Sequence, residues 1–253
     1  MQNSQSRDQK VIEEFLQEET SLFKNFSSDA DFISFFVDTL IDVKQKNTTI
    51  VSVTGGPGSG KSTFVKHVID ELKKKNILAD SVTTEDFNLL DRTTRDKLIA
   101  SGASPLDFKN FQHLNTLLAK IKAGETIQAP SYDRTTGKAM DLENHTHSIS
   151  GHLDFLFVEG DFQPVENPDL RIYFHVPTDV RRENRVVRDL EKHALKTADE
   201  VRESFDFRLE SQYYPYTFPH HKHADLLINV HAEKEENGDY VFRYFYNVHK
   251  RTN

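Results

Sequence analysis

Thr49-Ile50-Val51-Ser52-Val53-Thr54 runs directly into Gly55-Gly56-Pro57-Gly58-Ser59-Gly60-Lys61-Ser62-Thr63 and then into Phe64-Val65-Lys66-His67-Val68-Ile69-Asp70-Glu71-Leu72. The first run is rich in β-branched residues, as a strand buried in a parallel sheet should be, and the third repeats apolar residues at helical spacing. Between them lies the pattern G-x-x-x-x-G-K-[ST]. Its glycines allow a turn tight enough for a row of backbone N–H groups to face phosphate oxygens, and the following helix N-terminus adds a favourable dipole. In such a loop Lys61 reaches the β- and γ-phosphates and the Ser62 hydroxyl ligates Mg²⁺. The nonapeptide Gly55, Gly56, Pro57, Gly58, Ser59, Gly60, Lys61, Ser62 and Thr63 is therefore the candidate nucleotide site, with ATP and Mg²⁺ as its ligands.

Around this segment the chain is 253 residues long, suited to one decorated α/β domain. It carries 32 Lys and Arg against 40 Asp and Glu, a formal charge of -8, which gives no sign of a polyanion-binding surface. Nucleic acid is accordingly not expected as a partner. With no cysteine, thiolate chemistry and disulfides are excluded. No run approaches the ~18 apolar residues of a membrane span, and the start lacks a signal-peptide core. A cytoplasmic protein without membrane contact is the expectation, and a homo-oligomer is left open.

Residues 1–48 read as two accessory amphipathic helices, one carrying Val11, Ile12, Phe15, Leu16, Leu22 and Phe23, the other Phe32, Ile33, Phe36, Val37, Leu40 and Ile41. Residues 49–253 then read as the domain built on the phosphate loop. Strands are expected at Ile50–Val53, Ala79–Thr83, Leu153–Val158, Arg171–Val176 and Leu226–Val230, with helices near 61–75, 91–100, 110–123, 179–193 and 198–212. That alternation predicts a mostly parallel sheet with ligands at the carboxyl ends of its strands. A polar stretch over 126–150 reads as an edge hairpin that could carry an acceptor, and the tail over 232–248 as a second hairpin turning at Asn237-Gly238.

Four constellations bear on chemistry. Thr83-Thr84-Glu85-Asp86-Phe87 follows the second strand, and a carboxylate there can orient an attacking hydroxyl and accept its proton, although an N-cap and turn would use the same residues. Phe155-Leu156-Phe157-Val158-Glu159-Gly160-Asp161 ends an apolar strand in acid, which is costly unless paired, so Glu159 is the metal candidate beside Ser62, with Asp161 a weaker one. Arg181, Arg185 and Arg188 share one helical face and could close on a transferring phosphate, or else pair with Glu183, Asp189 and Glu191 in solvent. His220, His221 and His223 lack the companions of a metal site and read as a polar connection.

In order and spacing these segments resemble the family of uridine kinases, phosphoribulokinases and bacterial pantothenate kinases. The likeness runs from about Thr49 to Val230 and is carried by Thr83-Thr84-Glu85-Asp86-Phe87, Pro105-Leu106-Asp107-Phe108, Lys122-Ala123-Gly124-Glu125 with Pro130-Ser131-Tyr132-Asp133, Val158-Glu159-Gly160, Arg185-Val186-Val187-Arg188-Asp189 and Ala224-Asp225-Leu226-Leu227-Ile228. It implies an α/β, kinase-type P-loop NTPase fold in three layers, with a mostly parallel central sheet, an N-terminal helical extension and a small edge hairpin lobe. It also implies ATP-dependent phosphorylation of a hydroxyl on a small metabolite: a nucleoside, a sugar or an organic-acid-like acceptor.

Carried over by position, Glu85 falls where the family places its catalytic aspartate, with Asp86 a rival base. Glu159 matches the acid ending the central strand, Arg185 and Arg188 the lid arginines, and Asp107 and Tyr132 the acceptor pocket. Uridine kinases should carry an aromatic residue and a histidine shortly after Pro-x-Tyr-Asp, where this chain has Arg134 and Gly137. That departure argues against a pyrimidine nucleoside. Arg134 and Lys138 would suit a carboxylate or phosphate on the acceptor, or simply face solvent. A nucleotide-gated effector that kept the fold and lost transfer is the alternative function.

Overall fold

The computed structural model describes residues 6–133, 146–162, 165–192, 197–234 and 242–251. Its helices are α1 (Arg7–Glu19), α2 (Asp29–Val43), α3 (Lys61–Lys74), α4 (Arg92–Ala100), α5 (Phe111–Lys122), α6 (Thr178–Lys192) and α7 (Ala198–Arg208). Its strands are β1 (Thr20–Phe26), β2 (Thr49–Thr54), β3 (Ala79–Thr83), β4 (Ile127–Pro130), β5 (Thr146–Ile149), β6 (Phe155–Gly160), β7 (Leu170–His175), β8 (Leu226–Lys234) and β9 (Phe242–Arg251). The chain divides into two compact units, residues 36–53 with 62–170, and residues 1–35, 54–61 and 171–253.

In the first of these units β2, β6 and β3 lie side by side, and every residue of β2 and β6 is buried. Strands covered on both faces must be apolar throughout rather than alternating, which is the pattern of Ile50, Val51 and Val53 and of Phe155 to Val158. β3 and β6 run parallel, with Ala79 opposite Phe155 and Thr83 opposite Glu159. Helix α5 places Leu114, Leu117, Leu118 and Ile121 on one face, and these pack on Ile50, Val82, Leu156 and Val158. Each such side chain contributes about 1.5–3 kcal/mol by leaving water. Asn110 starts the helix by accepting from the His113 amide at 3.0 Å. The edge hairpin is present as β4 and β5, antiparallel with Ile127 opposite Ile149, and the residues joining them lie outside the described ones.

In the other unit the order is β1, β9, β8, β7, with β7 and β8 parallel and the remaining pairs antiparallel. Ile12, Tyr173, Phe205, Leu209, Tyr213 and Leu227 form its core. The tail hairpin is longer than expected, β8 and β9 pairing from Leu226 opposite Lys250 to Lys234 opposite Phe242, with the Asn237-Gly238 turn outside the described residues.

Two local expectations differ from what forms. The first helix stops at Glu19, and Thr20–Phe26 becomes a strand antiparallel to β9. Thr20 bonds back to the Leu16 carbonyl at 3.1 Å, and its backbone is already extended, so the apolar spacing through Leu22 and Phe23 belongs to no helix. The helix expected over 198–212 ends at Arg208 and passes into a wide π-type turn over Leu209–Thr217 that contains Pro215. Proline has no N–H to continue an α-helical ladder, and an insertion of this kind re-aims the side chains after it.

Candidate active site

The phosphate loop keeps the shape its glycines permit. Gly58 and Gly60 sit at φ 82° and 85°, in the left-handed region, and the Ser59 amide bonds to the Gly56 carbonyl at 3.2 Å. Lys61 is buried, and its ammonium donates to the carbonyls of Gly55 and Gly56 at 2.7 and 3.0 Å. Ser59 is buried, with no hydrogen-bond partner for its hydroxyl among the described residues. A loop with an enclosed ammonium and an unsatisfied hydroxyl is suited to an oxyanion ligand.

In the same unit, α6 delivers its arginines to different surroundings. Arg181 is wholly buried, Arg185 is 8% exposed, and the Arg188 side chain is half in solvent. Arg185 and Arg188 share Asp189, at 3.3 and 2.8 Å. Burial pushes the Arg185 guanidinium down to about 10, with the charges of Arg208 and Arg188 adding to the effect, so it stays cationic at neutral pH. Among the acids whose side chains are described, Asp189 neutralises this face. Glu183 pairs with Arg202 of α7 at 3.0 Å. Asn184 donates to the Gly58 carbonyl at 3.3 Å, a direct tie from α6 to the loop.

In the other unit the two strand-end acids are brought close in register, since Glu159 is opposite Thr83 and Glu85 follows two residues later. The Ser62 hydroxyl lies 2.7 and 2.8 Å from the two carboxylate oxygens of Glu159, and Glu159 has no ion pair among the described residues. Glu85 and Asp86 occupy one turn of 3₁₀ helix, Thr84–Phe87, closed by a reciprocal cap from Thr83. Within it their uses diverge. Asp86 accepts from the backbone amides of Thr83 and Tyr132 at 3.4 and 3.0 Å. Glu85 instead points its carboxylate at side chains: Lys109 at 3.0 Å, Arg95 at 3.8 Å and Asn88 at 2.9 Å. Burial raises its pKa, but the charges of Lys109 and Arg95 and the Asn88 bond more than reverse this and hold the carboxyl well below the usual range.

Tyr132 is buried within this cluster, its hydroxyl 2.9 Å from Arg95. Asp107 lies on the exposed side of the short helix Pro105–Phe108, and it is Lys109, two residues on, that faces Glu85. Arg134 and Lys138 fall outside the described residues. Arg95 and Lys109 were not singled out by any motif. Lys109 reaches the site because Asn88 and Lys109 form a β-bridge between two loops, with flanking bonds from Leu89 to Phe108 and Asn110 to Phe87, both 2.8 Å. His221 is a packing residue, its ring against those of Phe15 and Phe218 and its Nδ1 2.6 Å from the Phe218 carbonyl.

The model of the phosphoribulokinase/uridine kinase family matches residues 50–236, which contain the loop and both strand-end acids. The chain belongs to that family. Uridine kinase from Macrococcus caseolyticus is 27% identical over 194 residues, spanning 72% of this chain and 87% of its own. Uridine kinase from Limosilactobacillus reuteri is 23% identical over 197 residues, spanning 76% and 88%. Among solved structures, D-glycerate 3-kinase from Cryptococcus neoformans superposes with a TM-score of 0.55 at 14% identity, over 71% of this chain and 87% of that one. A structure named as a possible uridine kinase from Bacillus stearothermophilus gives 0.52 at 19% identity, over 78% and 97%. The fold is thus the mixed α/β fold of P-loop kinases with a mostly parallel central sheet, and this family member is a P-loop small-metabolite kinase. Among the described residues no helix is long and apolar enough to cross a membrane.

Proposed function

We propose that the enzyme transfers the γ-phosphoryl group of ATP to a hydroxyl of a small metabolite that also carries a carboxylate or phosphate. The observation that supports the anionic acceptor is the flanking of Glu85 by two cations, Lys109 and Arg95, where a site for a neutral nucleoside needs none. The departure at Arg134 and Gly137 from the uridine kinase pattern points the same way.

In this reading the amides of Gly55 to Thr63 and the Lys61 ammonium bind the phosphates. Ser62 and Glu159 supply hard oxygen donors of the kind that hold Mg²⁺ together with substrate phosphates and water, and the pair fits that ion without a third acid. When bound, Mg²⁺ neutralises charge on the phosphate oxygens and fixes their geometry. Glu85, kept ionised, accepts a hydrogen bond from the acceptor hydroxyl, aims its oxygen at the γ-phosphorus and takes up its proton as the bond forms. Asp86 is held by two backbone amides, which favours Glu85 for this role. Arg185 and Arg188 stabilise charge spread over the transferred group.

The test is an acceptor panel with ATP and Mg²⁺, following ADP. Hydroxy acids and sugar phosphates should raise ADP formation above the acceptor-free rate, and neutral nucleosides and sugars should not. A response confined to neutral acceptors contradicts the anionic reading, and no response to any acceptor contradicts the transfer itself.

A further inference from the structure

Asp8, in the first turn of α1, is wholly buried although it lies before the segment matched by the family. One of its carboxylate oxygens accepts from the Thr178 hydroxyl at 2.7 Å, from Arg181 Nη2 at 3.1 Å and from the Tyr213 hydroxyl at 3.3 Å, and the other accepts from Ser6 at 2.7 Å. Arg181 is fixed in turn by the Val176 carbonyl and Thr178, both 2.9 Å from its nitrogens, and by the Tyr213 ring, 4.0 Å from the guanidinium carbon. Burial drives His175 down to about 3, so that imidazole is neutral and Arg181 is the standing counter-charge to Asp8.

This cluster abuts the phosphate loop within one compact unit. A Cβ built at Gly56 would collide with the Arg181 guanidinium and come within 2.8 Å of the Tyr213 ring, and one at Gly58 would collide with the Arg181 carbonyl. The loop is therefore moulded on Arg181. Arg181 Nη1, the nitrogen beside Gly56, is buried with no hydrogen-bond partner among the described residues, whereas Nε and Nη2 are taken. A buried ion pair is poor evidence of a stabilising role, because an apolar replacement of similar size often serves as well. An arginine with one donor left at the loop, and a wide turn bent to lay Tyr213 across its plane, point to function.

We propose that Asp8 is a positioning residue for nucleotide binding: by holding Arg181 against Gly56 and Gly58 it fixes the phosphate loop in the shape that receives the triphosphate. This rests on the nucleotide reading of that loop. The N-terminal helix thereby becomes part of the nucleotide site.

The experiment measures Mg·ATP affinity by calorimetry, KM and kcat for both substrates, and melting temperature, on the full chain. Asp8→Ala should weaken ATP binding about tenfold or more while the acceptor KM stays within about twofold. The double variant Asp8→Asn with Arg181→Gln leaves no stranded charge and is expected to keep the protein folded. It should recover most of the melting temperature yet bind ATP about fivefold or more weakly. A merely structural pair predicts that ATP affinity recovers together with melting temperature, and that result overturns the proposal. Should Asp8→Ala fail to fold, the double variant decides alone. If the wild type binds ATP and the variants bind it equally well, only this inference fails; if the wild type binds none, the nucleotide reading falls with it.

Discussion

Glu159 closes one strand and Glu85 follows the end of its parallel neighbour by two residues, yet the protein treats their charges in opposite ways. Glu159 is 7% exposed and meets one neutral hydroxyl, Ser62, whereas the Glu85 side chain is 38% exposed and sits between Lys109 and Arg95. A carboxylate in a buried position with no cation of its own is expensive unless something from outside completes it. A carboxylate already matched by two cations has no need of a metal, and those cations leave positive charge available to whatever docks beside it. On the proposed reading, the difference separates a metal carboxylate from an acceptor carboxylate by partner chemistry rather than by distance along the strands.

The comparison breaks most visibly at Glu85. Glu85→Gln keeps the shape and removes the charge, and transfer to the acceptor should fall by about 10²–10⁴ while ATP affinity is retained. A nucleotide-gated effector without transfer chemistry would be indifferent to that change. Removing its counter-ion is a finer probe. Lys109→Met should raise the acceptor KM by about tenfold if the acceptor is anionic. It should also lift the acid limb of the rate profile towards the ordinary glutamate value of about 4.3. The sign follows from linkage: the folded-state pKa of Glu85 lies below its unfolded value, so the pair's contribution is complete above the ordinary pKa and is lost as pH falls towards the depressed one.

Gly160 lies between the two acids, and a Cβ there would collide with the Thr84 side chain. Gly160→Ala should therefore cost about 1–3 kcal/mol in denaturant unfolding, from overpacking at the point where the strand ends meet. Asp86→Asn is expected to have the smallest effect, about 0.5–2 kcal/mol from a weakened cap, with kcat close to wild type. A collapse of kcat in that variant would exchange the roles of Asp86 and Glu85.

How legible all this was in the sequence depended on how local the information is. The strand, loop and helix around Lys61 are set by neighbours a few residues away, so their periodicities read correctly. The place of Glu159 beside Ser62 was legible because an acid closing an apolar strand is a local anomaly. β1 was not, since its partner strand lies at the far end of the chain and the apolar residues it shares with α1 mimic a helix. Lys109 was missed because Asp107 carried the motif, while the bridge to Asn88 that turns Lys109 inwards is a tertiary contact. Arg181 was visible as part of an arginine face, but its burial depends on Asp8, 173 residues earlier, and no spacing rule links the two.

The most direct test of the account is a Mg²⁺ titration of ADP formation, at saturating ATP and acceptor, with Glu159→Gln and Glu85→Gln measured side by side. The account predicts that Glu159→Gln raises the half-saturating Mg²⁺ by about 10–100-fold. Glu85→Gln should leave that concentration unchanged and lower only the plateau. Equal shifts in half-saturating Mg²⁺ for the two variants would contradict the division between metal and acceptor carboxylates on which the account stands.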